Sequence, residues 1–163
     1  MSLKELKLTA LINAYSALQI PLLGFITPRV MELGPKRSMV RVRLDRRTRN
    51  HLGVMYFGAL AMGAELSIAL KAVECIASQR LKVDFIFKDF QAEFLRRADG
   101  HVHFVCDQVE AVEKLIMDAT QSEERLEKKF SGFAFVPSSS EEPVMKYKLT
   151  LSVKKRGSSK GRK

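Results

Sequence analysis

One carboxylate stands alone in a long apolar stretch of the sequence. Glu65 is the only residue with a formal charge at pH 7 among the 21 residues between Arg49 and Lys71. Its neighbours three and four positions away along a helix are all apolar; they are Ala61, Met62, Ile68 and Ala69. Burying an unpaired carboxylate is costly or raises its pKa, and such a group suits a general base or nucleophile near neutral pH. The alternative is a structural glutamate, satisfied by backbone amides or by a partner chain.

A second chemical feature precedes that apolar stretch. Asn50-His51-Leu52-Gly53 leads into Tyr56-Phe57-Gly58, where the helical periodicity begins. Free N–H groups at a helix start carry partial positive charge, and a glycine lets a ligand approach the backbone closely. Such a place can polarise a carbonyl or hold an oxyanion. The alternative is that Gly53 and Gly58 serve only a turn and close helix packing.

Helix geometry separates these two features within one chain. Phe57 and Glu65 are eight residues apart, which is about 12 Å along a helix axis. One carbonyl group cannot contact both. If both act on one substrate, Glu65 must face the helix start of a second chain, which predicts a dimer with antiparallel central helices and two interfacial sites.

The surrounding pattern predicts the elements that position these residues. Helical periodicity covers residues 3–19, 56–78 and 109–118, and the helix at 56–78 is apolar nearly all round, as expected of a buried helix. Strand patterns cover residues 30–33, 39–44, 82–94, 101–106, 130–136 and 144–153. Ala98-Asp99-Gly100 predicts a hairpin between the third and fourth strands, and residues 20–28 are expected to cross irregularly. The fold class is therefore α+β, an antiparallel sheet of about six strands around one central helix, with an extra N-terminal helix.

The motif at the helix start resembles that of hotdog-fold thioesterases of the phenylacetyl-CoA and 4-hydroxybenzoyl-CoA type. Their pattern is N-x-x-G-x-x-H-G-G, with an acidic residue seven positions after the last glycine. Here the matching positions are Asn50, Gly53, Tyr56-Phe57-Gly58 and Glu65. Tyr56 replaces the family's histidine and Phe57 its first paired glycine, although the Phe57 N–H is retained. The order of elements is also similar, over residues 20–155, and the departures indicate an uncharacterised branch.

The resemblance implies an acyl-CoA thioesterase that needs no cofactor, because the coenzyme A or acyl-carrier thioester is its substrate. Glu65 would activate water or attack the carbonyl, the Phe57 and Gly58 amides would hold the carbonyl oxygen, and Asn50 would orient water. Tyr56, Gly53 and Val83 would contact the substrate, Val83 standing where relatives often have Ser or Thr. Basic residues that could bind coenzyme A phosphates are Arg46, Arg47, Arg49, Lys88, Arg96 and Arg97. A non-catalytic acyl-thioester or lipid-binding protein is the alternative, and the acyl chain cannot be read from the sequence.

Charge and cysteine content limit the remaining classes. The formal net charge is +10, but residues 154–163 hold six cations and no anion, so residues 1–153 carry only +4. We therefore expect a single domain over residues 1–153 and a disordered basic tail over residues 154–163, so that any nucleic-acid binding would depend on the tail.

The cysteines and histidines predict neither a disulfide nor a metal site. Cys75 and Cys106 are expected to be buried free thiols in a cytoplasmic protein. His101 and His103 lack a third ligand, so no metal site is predicted.

The uncharged run from Leu8 to Pro28 superficially resembles a membrane span or signal peptide. Asn13, Ser16 and Gln19, however, put a polar stripe on its helix, and proline and glycine then interrupt the run. We therefore expect no membrane span and an N-terminal helix, residues 1–20, that packs on the domain.

Overall fold

The computed structural model describes residues 3–157. Four helices and six strands are present among them. The helices are α1 Leu3–Gln19, α2 Pro21–Phe25, α3 Phe57–Ser78 and α4 Val109–Thr120. The strands are β1 Arg29–Leu33, β2 Ser38–Val42, β3 Val83–Phe94, β4 Val102–Cys106, β5 Leu126–Val136 and β6 Ser140–Lys155. The predicted α+β class, the six-stranded antiparallel sheet and its long helix are all present.

The six strands form one antiparallel sheet in the order β1-β2-β4-β5-β6-β3. Helix α3 packs across one face of the sheet, against β2, β4 and β5. Its small residues permit this close approach: a Cβ on Gly63 would lie 2.3 Å from the ring of Phe104 on β4. Ala64, Ile68 and Ala72 on the same helix are fully buried. The sequence therefore builds a helix that sits directly on the sheet.

A buried polar network also ties α3 to the sheet. The Ser67 hydroxyl lies 2.7 Å from the Tyr147 hydroxyl on β6, which donates to the Val105 carbonyl of β4 at 3.0 Å. Ser38 on β2 donates to the Ser67 carbonyl. Burial raises the pKa of Tyr147 far above its usual range, so the phenol stays neutral. These bonds fix the rotation of α3 about its axis, and thereby the direction in which Glu65 points.

The predicted hairpin at Ala98-Asp99-Gly100 is wrong. Strand β3 pairs with β6 along its whole length, whereas β4 pairs with β2 and β5. The segment between β3 and β4, residues 95–101, is instead hydrogen-bonded to distant parts of the chain. The Leu95 N–H donates to the Val144 carbonyl, and the Ala98 carbonyl accepts from the Met55 N–H. These long-range bonds, rather than a local turn, carry the chain from one edge of the sheet to its middle.

The bounds of several helices and strands also differ from those predicted from the sequence. The segment expected to be irregular, residues 20–28, contains the short helix α2. The last two strands are longer than predicted and are joined by residues 137–139 alone. Strand β6 runs to Lys155, and the Arg156 N–H bonds to the Lys82 carbonyl, so the predicted tail begins in ordered sheet. The rest of that predicted tail, residues 158–163, lies outside the described residues.

The N-terminal helix packs with Asn13 and Ser16 of its polar stripe toward the domain, whereas Gln19 is exposed. Asn13 donates to the Pro28 carbonyl at 2.8 Å, Thr9 accepts from the Val30 N–H at 3.0 Å, and Ser16 is buried. Leu3 and Leu18 are consequently exposed, at 77% and 81%. Among the described residues, none of the helices has the length and apolar character needed to cross a membrane.

Candidate active site

A cleft of about 930 Å³ lies between α1, α3 and β3. Most of its wall is aliphatic or aromatic, supplied by residues such as Leu11, Met62, Val73, Phe85 and Phe87. Its charged lining residues are Glu65, Asp84, Lys88, Asp89 and Arg156. The size and apolar lining match those of pockets that bind organic ligands.

Glu65 differs electrostatically from the other charged groups of the cleft. Arg156 forms a two-nitrogen contact with Asp84, Lys88 pairs with Glu127 at 2.7 Å, and Asp89 accepts two bonds from Thr150. Within residues 3–157, no hydrogen bond or ion pair reaches the Glu65 carboxylate. Burial therefore raises the pKa of Glu65, whereas the bond from Arg156 lowers the pKa of Asp84. Glu65 is thus the carboxylate of this cleft with a raised pKa and no partner in the described chain, and a raised pKa makes a carboxylate a better proton acceptor.

The start of α3 is open. Tyr56 precedes the helix in extended conformation, and no side chain caps the first N–H groups. Phe57, the first helical residue, is 56% exposed, and its ring centroid lies 5.6 Å from that of Phe94. The Tyr56 ring lies over Gly58, where an added Cβ would approach it to 2.6 Å. This ring contact accounts for the glycine and narrows the approach to the helix start.

The loop before α3 has a structural function of its own. Asn50 Oδ1 accepts from the Leu52 and Val54 N–H groups at 2.9 and 3.3 Å. Gly53 has φ +78°, a left-handed conformation that favours glycine. Asn50 and Gly53 thus shape the turn that delivers the chain to the helix, as the structural alternative for Gly53 anticipated.

The cleft unites only some of the residues singled out in the sequence. Glu65 and the buried Val83 both line it. Asn50, Gly53, and residues 56–58 do not; they lie at the start of α3, and Glu65 is about 10 Å along the axis from Gly58. Sequence reasoning missed the Arg156–Asp84 pair, because Arg156 falls in the segment predicted to be disordered.

The remaining chemical candidates are spread over the molecule. Of the basic residues suggested for coenzyme A phosphates, Lys88 lines the cleft, Arg96 pairs with Glu142, and Arg47 lies over the Phe25 ring at 5.8 Å. His101 accepts from the Leu44 N–H at 3.1 Å. Both cysteines are buried and free, as predicted. No cluster of potential metal ligands occurs within the described part of the chain.

Comparisons with known proteins agree with this architecture. Residues 9–153 match the family described as "Domain of unknown function (DUF4442)". No curated protein matches the sequence.

Three solved structures illustrate the shared fold. A thioesterase from Haemophilus influenzae superposes with a TM-score of 0.66, at 14% identity over 92% of each chain. A mutant thioesterase from Pseudomonas aeruginosa superposes with a TM-score of 0.67, at 17% identity over 90% of this chain and 94% of that one. A protein of unknown function from Chlorobaculum tepidum superposes with a TM-score of 0.78, at 8% identity over 93% of this chain and 97% of that one. The resemblance to hotdog-fold thioesterases is confirmed, and identities this low show the fold alone.

Proposed function

The chain belongs to the DUF4442 family, and from that premise and the cleft we propose that it hydrolyses an acyl thioester of coenzyme A or of an acyl carrier. The observation that carries the proposal is Glu65, a carboxylate without a partner in the described chain, lining an apolar cleft of about 930 Å³. An acyl chain is apolar along its length and reactive at one end. The cleft offers the same combination of apolar wall and single reactive group.

In the proposed reaction, Glu65 accepts a proton from water as the water oxygen attacks the thioester carbonyl carbon. The carbonyl π electrons move to oxygen, and the resulting oxyanion accepts hydrogen bonds from the Phe57 and Gly58 N–H groups. The carbonyl re-forms, the C–S bond breaks, and the sulfur leaves with the proton that Glu65 took up. Direct attack by Glu65 is the other route; the C–S bond then breaks as the anhydride forms, and the thiolate leaves. Water hydrolyses the anhydride to the free acid and the Glu65 carboxylate, and the proton released from that water balances the thiolate as thiol.

The two catalytic elements come from different chains in this proposal, because they are about 10–12 Å apart on one helix. Two features support such a homodimer, or a dimer of dimers. Exposed apolar side chains surround the helix start; they are Leu52, Tyr56, Phe57, Phe94 and Leu95. Strand β3 is also an edge strand of 12 residues, whose free backbone groups can pair with another chain.

A non-catalytic acyl-thioester or lipid-binding protein is the second candidate. The observation that favours it is the Tyr56 ring over Gly58, since an acceptor must approach the helix start past that ring. The two candidates differ in whether bound thioester is broken, so one assay separates them.

The test is release of free thiol from a panel of acyl-CoA substrates of increasing chain length. The wild-type chain should hydrolyse part of the panel, and Glu65→Gln should lose at least about 100-fold in kcat/KM, the range usual for loss of a general base. Asp84→Asn is the matched control, because it neutralises a carboxylate of the same cleft that is already paired with Arg156.

Hydrolysis that survives Glu65→Gln would contradict the proposed role of Glu65. Tight acyl-CoA binding without thiol release by the wild-type chain would establish the binding protein instead.

A further inference from the structure

The face of the sheet opposite α3 carries two arginines in one row with a histidine and an aromatic ring. Val40 and Val42 of β2 are buried on the α3 side, so Arg41 between them points to the other face. In the register of the sheet, Arg29 lies opposite Arg41, Arg41 opposite His103, and His103 opposite Phe135. Directly opposed residues have neighbouring side chains, so four adjacent strands present two arginines, a histidine and an aromatic ring in one row.

This row has no compensating carboxylate within the described chain. Arg29, Arg41 and Arg43 make no ion pair there, and the Nε atom of Arg41 is buried without a hydrogen-bond partner. Burial together with Arg29 and Arg43 lowers the pKa of Arg41, and burial together with Arg41 and His101 lowers the pKa of His103. Like charges placed opposite one another are destabilising, and a buried donor without a partner adds to that cost. An anion bound between the arginines would offset both.

Two nearby acidic groups are engaged elsewhere, and Glu32, opposite Met39 in the register of β1 and β2, makes no ion pair with the arginines of the row. Asp107 pairs with Arg37 at 2.6 Å, and Asp45 Oδ1 accepts from the Arg47 N–H at 2.8 Å. On the β3–β6 side of the sheet, Lys88 pairs with Glu127 and Arg156 with Asp84, whereas Lys146 and Lys148 of β6 form no ion pair within the described chain. The two arginines of the row stand on neighbouring strands, and guanidinium groups so placed suit the oxygens of one compact anion such as phosphate.

Aromatic rings adjoin the arginines. The His103 and Phe135 ring centroids are 5.5 Å apart, and Phe133 lies 6.3 Å from Phe135. Arginines bind phosphate through paired N–H donors, and aromatic side chains stack on nucleobases. The row thus offers a phosphate-binding end and a ring-stacking end.

We propose that the row Arg29–Arg41–His103–Phe135, with Arg43 beside it, binds a nucleoside phosphate, the phosphates on the arginines and the base against Phe135. The sheet separates this site from Glu65, so the proposal stands apart from the thioesterase function. Free nucleotides and the nucleotide part of coenzyme A share this chemistry.

The test is calorimetric titration of the full chain with ADP at low salt. Arg41→Gln should weaken ADP binding by about tenfold or more, because it removes charge-assisted bonds to phosphate. Arg80→Gln, an exposed arginine at the far end of α3, is the matched control and should leave binding unchanged. Phe135→Leu should weaken the binding of ADP but not that of pyrophosphate, and Glu65→Gln should change the affinity for neither. Titration of coenzyme A into the same variants shows whether it also uses this row.

Three results would overturn the proposal. The first is that a folded Arg41→Gln variant binds ADP as tightly as wild type does, and the second is that wild type binds no ADP at millimolar concentration. The third is that wild type binds pyrophosphate as tightly as ADP and that Phe135→Leu changes neither affinity. Tighter binding of a 12-nucleotide single strand than of ADP would assign the face to nucleic acid instead. Thermal unfolding monitors the fold, and Arg41→Gln should not lower Tm because it relieves the repulsion among the arginines.

Discussion

At the scale of single residues, environment separates carboxylates of the same cleft. Asp84 has an arginine partner, and the hydrogen bond from Arg156 lowers its pKa. Glu65 has burial alone, which raises its pKa. The ion pair therefore favours the ionised form of Asp84, whereas burial favours the neutral form of Glu65. Two carboxyl groups in one cleft thus acquire different chemistry from their neighbours alone.

The raised pKa of Glu65 predicts how stability depends on pH. A carboxyl group whose pKa is higher in the folded than in the unfolded chain stabilises the fold below its unfolded pKa, and this contribution is lost as pH rises through the folded pKa. Glu65→Gln should therefore match wild type at acidic pH and exceed it at pH 7–8. We expect about 1–2 kcal/mol, the order expected for a part-buried group without a partner. Tm measured against pH for both proteins is the check.

A Glu65→Gln variant that is less stable than wild type at pH 7–8 would contradict this prediction. It would mean that the ionised carboxylate has a stabilising partner that the single chain does not supply.

At the scale of elements, the contact between α3 and the sheet depends on the absence of side chains at particular positions. Gly63 faces the Phe104 ring, and Gly132 on β5 faces the Tyr147 ring, at 2.3 and 2.5 Å from an added Cβ. Both rings are buried, so neither can swing into solvent. The Gly63–Phe104 contact sets the distance between helix and sheet, whereas the Gly132–Tyr147 contact joins neighbouring strands and positions the Tyr147 ring, whose hydroxyl reaches Ser67 of α3.

Gly63→Ala should therefore destabilise the protein by about 1–3 kcal/mol, as overpacking of a core does. Alanine ordinarily stabilises a helix relative to glycine, so the sign of the effect is diagnostic. Urea unfolding of Gly63→Ala, Phe104→Leu and the double variant forms a double-mutant cycle. The smaller leucine side chain in the double variant should restore much of the loss, and strictly additive effects would show that the ring contact is not the cause.

The sequence was informative about elements and less so about their pairing. The periodicity of residues 56–78 predicted the bounds of α3 to within one residue. Glu65 also lacks a partner in the folded chain as described, as its apolar helical neighbours indicated. The pairing of β3 with β6 was missed because Asp99-Gly100 is a local turn signal, whereas strand partners depend on distant residues. The row from Arg29 to Phe135 could not be foreseen for the same reason, since its members come from four strands.

At the scale of the whole molecule, the sheet divides the chain into two chemically different sides. The side that packs against α3 holds the apolar cleft and a carboxylate without a partner in the described chain. The opposite side holds a row of arginines that also lacks ion-pair partners there. In both places a charged group stabilises nothing within the described chain, and the two proposed ligands would each supply the missing partner.

The proposed shared active site makes the strictest prediction at this scale. Phe57→Pro removes one of the two N–H groups proposed to bind the oxyanion, and proline is well tolerated at the first helical position. The variant should be inactive, as Glu65→Gln should be. Refolding the two variants together should restore about a quarter of wild-type activity, because half of the random dimers are hybrid and each hybrid has one complete site.

Phe57→Ala is the control for this experiment, since it loses the same ring but keeps the N–H, and it should retain activity on its own. Size-exclusion chromatography with light scattering must show a dimer or a higher oligomer in each mixture. A mixture that stays inactive although hybrid dimers form would contradict the shared site, because Glu65 and the helix start of the same chain would then have to serve one substrate. Since about 10–12 Å of helix lies between those groups, no rearrangement of side chains alone could then bring them to one carbonyl, and Glu65 would have to work with a different oxyanion donor.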